Sequence, residues 1–145
     1  MRKLILLTFV VTALFSCNKD KKANELIYIN GTYKAIEAEY NYGWKAYLHI
    51  DISEDELTSI SFDYLDESGN KKSETTEEEY PMDPHPSIWL PQYESNLMNA
   101  DIINFSDIDA ISGATHTVVT INKMMKVLLE AAKTGDTSEK IISEE

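Results

Sequence analysis

The sequence predicts an α+β domain, an antiparallel β-sheet meander packed against a C-terminal helix and a shorter helix. Three observations carry that class. Residues 31–65 alternate with a period of two, residues 121–132 repeat at three- and four-residue steps, and the strand patterns all precede the helical ones. No internal repeat or second domain is visible along the 145 residues.

The strands come first. Within Gly31 to Tyr40, Lys34, Ile36, Ala38 and Tyr40 fall on one face, and Tyr33 and Ala35 on the other. Trp44, Ala46, Leu48, Ile50 and Ile52 share a face in the next segment, while Lys45, Tyr47, His49 and Asp51 point away. Such alternation marks a sheet with one buried side. After the polar turn Ser53-Glu54-Asp55-Glu56, a third strand from Leu57 to Leu65 puts Ile60, Phe62 and Tyr64 together. Gly and Asn at Asn41-Tyr42-Gly43 and Glu67-Ser68-Gly69-Asn70 suit turns, since both tolerate positive φ.

The charged stretch Lys71 to Glu79 has no clear period and reads as a solvated face or loop. Tyr80 to Pro86 reads as an ordered loop, because proline lacks a donor and clashes with the preceding helical turn. Pro91 fits the first turn of a short helix from Gln92 to Ile103. The last helix is clearer. Ile121, Met124, Met125, Leu128, Leu129 and Ala132 form one stripe, a core stripe and not a set of redox ligands, and Gly135 is a natural stop. The polar tail, 136–145, is expected to fray.

The N-terminus has a different character. Arg2 and Lys3 precede an apolar run from Leu4 to Phe15, interrupted by Thr8 and Thr12, and the chain turns polar after Cys17. That is the layout of a targeting segment, too short for a spanning helix of roughly 20 apolar residues. Leu14-Phe15-Ser16-Cys17 resembles the lipobox of bacterial lipoproteins, with Phe15 bulkier than the usual residue. The resemblance implies a signal peptide over 1–16, a lipid on Cys17, and a tether over 17–29 ahead of a domain at 30–135. It also implies a bilayer-anchored, extracytoplasmic location, periplasmic or at the cell surface. Cys17 is the sole cysteine, so no disulfide forms within the chain.

Without residues 1–16, the chain keeps all 25 acidic and 11 of the 13 basic residues, a formal charge of −14. A nucleic-acid binder needs a basic footprint, so that class is excluded. The acidity serves solubility, and it can steer a basic partner.

Asp109-Ala110-Ile111-Ser112-Gly113-Ala114-Thr115 stands directly before the last helix. Ser112 or Thr115 could cap the helix start, where free N–H groups and the positive dipole end favour an anion. Asp109, Ser112, Gly113, Ala114 and Thr115 also match the flavinylation motif of the FMN-binding domain family. Related domains occur in peripheral subunits of sodium-pumping quinone reductases and Rnf-type complexes, and in small extracytoplasmic lipoproteins.

The resemblance implies FMN joined through its phosphate to the Thr115 hydroxyl. A flavin transferase would take the FMN moiety from FAD with Mg²⁺, reading Asp109 and Ser112-Gly113-Ala114. Thr117 matches a frequent hydroxyl two places on. Asn30-Gly31-Thr32-Tyr33 resembles the family's opening strand, with Asn30 in place of Asp. Trp44 to Tyr64, Tyr93 to Leu97 and Asp107 to Thr115 extend the likeness, which covers roughly 30–133. It implies an electron shuttle between membrane or extracytoplasmic redox proteins, or an FMN-carrying accessory subunit of a larger oxidoreductase complex.

Further cofactor contacts are expected from His116 beside the acceptor and from Trp89 and Tyr93 beside the Pro-rich loop. Trp44 is also readable as a sheet-core residue, and Tyr42 is a weaker candidate for ring contact. His49, His85 and His116 show no metal spacing, so no metal site is expected. Two other readings stand beside the shuttle. One is a non-redox surface-binding lipoprotein. The other is a hydrolase using Ser112, although Gly-x-Ser-x-Gly is absent.

Overall fold

The computed structural model describes residues 25–143. The targeting segment, Cys17 and most of the tether lie outside the described residues. The elements run β1 (Gly31–Glu37), β2 (Lys45–Ser53), β3 (Glu56–Leu65), a 3₁₀ turn (Lys72–Glu74), α1 (Pro86–Met98), α2 (Thr115–Thr134) and β4 (Lys140–Ile142).

The three expected strands form an antiparallel meander, with Ala35 opposite Leu48 and Leu48 opposite Phe62. The sheet is mixed rather than purely antiparallel, because β4 joins β1 in parallel to give the order β3-β2-β1-β4. The tail therefore does not simply fray. Lys140, Ile141 and Ile142 pair with Ala35, Ile36 and Glu37, and the amide of Ala38 donates to the carbonyl of Ile142 at 2.8 Å. Ile142 is buried, so even this short strand carries an apolar anchor. The tether also reaches into the fold, since Tyr28 is buried and its hydroxyl donates to the Ile102 carbonyl at 2.6 Å.

Period-two alternation sets the core face of the sheet. Tyr33, Ala35, Ala46, Leu48, Ile50, Ile52 and Phe62 are buried on it. α2 covers β1 and β2, while α1 covers β3. The α2 stripe of Ile121, Met124, Met125, Leu128 and Ala132 is fully buried against this face. Each large apolar side chain so buried contributes roughly 1.5–3 kcal/mol. Gly135 ends the helix with φ 71°, in the left-handed conformation that glycine adopts without strain.

The shorter helix starts earlier than the prolines suggest. Pro86 takes its first position, and His85 is the N-cap, its Nδ1 accepting from the Ser87 amide. Pro91 therefore lies inside α1, where it leaves the Ser87 carbonyl without its usual partner. Burial of Trp89, Leu90, Tyr93 and Leu97 offsets that loss. The helix stops at Met98 instead of Ile103, with Asn99 at its C-cap.

Candidate functional site

One end of the fold gathers the end of β1, the start of β2, the end of β3 and the start of α2. β4 adds its last residues there, because Glu37 pairs with Ile142. A cavity of about 860 Å³ opens at this end. Its lining includes Trp44, Tyr64, Tyr80, Trp89, Lys72, Glu37 and residues Gly113 to Thr117.

The end of the motif segment, Gly113 to Thr115, forms its lip. Ile111 to Ala114 is a tight turn closed by the Ala114 amide donating to the Ile111 carbonyl at 3.0 Å. Gly113 has φ 85° at the turn position where positive φ is required. A Cβ built on it would meet Pro84 Cδ at 3.1 Å, so both conformation and space favour glycine. Ala114 is the N-cap of α2 and no side chain caps the helix, so neither Ser112 nor Thr115 has the capping role expected of them. Thr115 is the first helical residue and is exposed. Its hydroxyl makes no hydrogen bond among the described residues, and it lines the cavity.

Buried contacts hold the lip in place. Tyr93 is fully buried in the core and does not line the cavity. Its hydroxyl donates to the Ala114 carbonyl at 2.8 Å and accepts from the Ile111 amide at 2.9 Å. Burial pushes the Tyr93 phenol up from its ordinary pKa, and the Ile111 bond partly opposes the rise. Asn122 of α2 is buried and grips the lead-in from behind, accepting from the Ile108 amide at 3.0 Å and donating to the Ile108 carbonyl at 3.1 Å. Lys126 and Asp107 add an exposed ion pair at 2.6 Å.

The side chains of Asp109, Ser112 and His116 are exposed and make no hydrogen bond or ion pair among the described residues. Of the other residues singled out in the sequence, Trp44, Tyr42 and His116 line the cavity. Thr117 is buried and accepts from the Tyr64 hydroxyl at 3.0 Å. Burial raises the Tyr64 phenol well above its usual pKa. His85 and His49 lie outside the cavity lining. Periodicity could not have shown Glu37, Lys72 or Tyr80 as cavity residues, nor Asn122 as a support of the lead-in, since only the folded chain brings them to these places.

The cavity has the size of a small-molecule site, typically 300–1,000 Å³ with mostly apolar walls. Trp89 is 2 % exposed, and its Nε1 has no hydrogen-bond partner among the described residues. A buried donor left so costs about 1–3 kcal/mol, which a polar ligand atom would offset. Flat aromatic walls, an orphan donor and a free hydroxyl at a helix N-terminus fit a phosphate-bearing aromatic cofactor.

Comparison with known proteins agrees. A 15 kDa lipoprotein of Treponema pallidum (strain Nichols) is 26% identical over 117 residues, spanning 79% of this chain and 82% of the relative. The crystal structure of the CPE2226 protein from Clostridium perfringens matches with a TM-score of 0.73 and 27% identity. That match covers 81% of this chain and 99% of the other. The model of the FMN-binding domain matches residues 41–130, a span that contains the cavity's aromatic walls and the whole Asp109–Thr115 motif, and the chain therefore belongs to the FMN-binding domain family.

Proposed function

We propose that this protein is a membrane-anchored extracytoplasmic flavoprotein that carries FMN covalently on Thr115 and shuttles electrons between redox partners. Family membership supports FMN as the cofactor. The observation that carries the attachment site is the exposed Thr115 hydroxyl at the mouth of an aromatic-walled cavity, on the first turn of α2.

Attachment by a flavin transferase joins Thr115 Oγ1 to the FMN phosphorus. The pyrophosphate bond of FAD breaks, AMP leaves, and the hydroxyl proton goes to solvent. Thr115 offers that oxygen without first giving up an internal hydrogen bond. Gly113 and Tyr93 fix its backbone, and the exposed Asp109 and Ser112 are available for the transferase to read. The free N–H groups of α2 and its dipole favour the phosphate. The bound flavin supplies the redox chemistry, while the protein supplies position, exclusion of water and charge.

The lipoprotein relative supports the reading of Cys17 as a lipidated residue. Two acyl chains anchor stably where one is marginal. A covalent bond also retains FMN outside the cytoplasm, where a dissociated cofactor diffuses away.

Co-expression with a flavin transferase, followed by intact mass and peptide mapping, tests the attachment. The expected result is FMN less one water on Thr115, lost in Thr115→Val. Covalent flavin persisting in that variant overturns the assignment. The shuttle role is tested by offering the purified flavoprotein soluble substrates without a partner; enzyme-like turnover of one of them overturns it.

A further inference from the structure

One cation in the cavity is held by aromatic rings instead of by a carboxylate. Lys72 Nζ lies 4.5 Å from the ring centroid of Tyr64, 4.7 Å from that of Tyr80 and 5.3 Å from that of Trp44. It makes no ion pair among the described residues, although the chain has a net charge of −12. Ring faces attract an ammonium without neutralising it. The charge thus remains available to whatever enters the cavity.

Its placement is fixed from below. Lys72 opens the 3₁₀ turn Lys72–Glu74, and the buried carboxylate of Asp63 on β3 binds that turn. Asp63 accepts from the Ser73 amide at 3.2 Å and from the Ser73 hydroxyl at 2.5 Å. The remaining charged groups of the lining are otherwise engaged or lie at the rim. Glu37 accepts from the Ala46 amide at 2.7 Å and from the Thr120 hydroxyl at 3.4 Å. Lys123 donates to the Ser143 carbonyl at 2.6 Å. His116 is exposed beside Thr115.

We infer that Lys72 sets the redox potential of the flavin by presenting its positive charge to the reduced ring, an inference that rests on the FMN reading above. Reduction brings two electrons from an external donor and one proton from water, and leaves the isoalloxazine with one more negative charge than before. A fixed ammonium stabilises that product and raises the potential. The phosphate carries the same charge in both redox states, so a lysine serving the phosphate would shift affinity for both forms equally. The aromatic surroundings favour the ring as its target. Trp44, Tyr64 and Tyr80 are flat walls outside the Ile111–Thr115 turn, whereas the phosphate is served by the α2 N-terminus.

The test compares flavinylated wild type, Lys72→Met and Lys72→Arg, each checked for loading by intact mass. Midpoint potentials are read by dithionite titration with reference dyes. Lys72→Met should lower the equilibrium constant for reduction at least tenfold, about 30 mV for a two-electron couple. Lys72→Arg should stay within roughly threefold of wild type. An unchanged potential in Lys72→Met overturns the inference while leaving FMN carriage intact. If wild type carries no covalent flavin, the attachment reading fails separately, and the same proteins are titrated with free oxidised and reduced FMN. The preference for the reduced form should then fall tenfold in Lys72→Met. Equal weakening of both forms, or no binding of either, overturns the role of Lys72.

Discussion

The hydroxyl of Tyr93 on α1 donates to the carbonyl of Ala114, the residue immediately before Thr115, at 2.8 Å. The same oxygen accepts from the Ile111 amide, so one buried phenol closes both ends of the motif turn. Tyr93→Phe keeps the ring and removes both bonds. It should cost about 1–3 kcal/mol, since two backbone groups lose their partner. Urea unfolding checks that figure. Intact mass at fixed transferase concentration should show flavinylation slowed several-fold, as the acceptor turn loosens.

Gly113→Ala tests the other support of that turn. Its φ of 85° disfavours any Cβ, and Pro84 Cδ would lie 3.1 Å away. The expected loss is about 1–2 kcal/mol. Flavinylation should fall more than stability, because the strain sits two residues from the acceptor. Thermal unfolding and mass-based loading of the same preparation separate the two effects.

Ile142→Ala tests whether the C-terminal strand belongs to the domain. Ile142 is buried beside β1 and also lines the cavity. Truncation of a buried isoleucine costs about 2–5 kcal/mol, the lower end applying at a sheet edge. Denaturant unfolding should show that loss together with faster amide exchange at Ala38, whose amide donates to the Ile142 carbonyl.

His49 gives a pH dependence of defined sign. Burial is the leading cause that lowers its pKa below the ordinary 6.5, with Lys34 acting in the same direction and Glu139 and Asp51 opposing. The unfolded chain therefore binds this proton more readily than the folded one. The stability contributed by neutral His49 is present above about pH 6.5 and is lost as pH falls below it. His49→Gln should flatten the stability profile in that window. Unfolding midpoints measured from pH 7.5 down to 5 would show it.

Much of the sheet and of α2 was legible because both obey simple periods. Ala46, Leu48, Ile50 and Ile52 alternate cleanly, and all are buried. The turn before α2 was legible because Gly113 answers to local geometry, as its positive φ shows, whereas the chemical role of that turn was suggested only by resemblance to a family motif. The start of α1 was not, since proline signals both a loop and a first helical turn, and only the His85 cap decides between them. β4 was hidden by its brevity and by the polar residues around it; its pairing depends on a long-range edge that three residues cannot announce. Tyr93, expected from the sequence as a cofactor contact, lies one layer beneath the cavity, where burial and not spacing decides its role. Lys72 sat in a charged stretch with nothing local to tell it from its neighbours, and only folding brings Trp44, Tyr64 and Tyr80 around it.

Ile29, at the point where the chain enters the domain, donates its amide to Ala132 near the C-terminal end of α2, while Thr115 stands at the other end. Twenty helical residues separate the two ends, and a helix of that length spans ~30 Å. If Cys17 is lipidated and Thr115 carries the flavin, as proposed above, the helix holds the flavin end away from the anchor on a rigid spar. On that proposal a partner would meet the flavin at a stand-off fixed by the helix, and lengthening the leader would widen the volume the domain sweeps without changing the distance from Ile29 to Thr115.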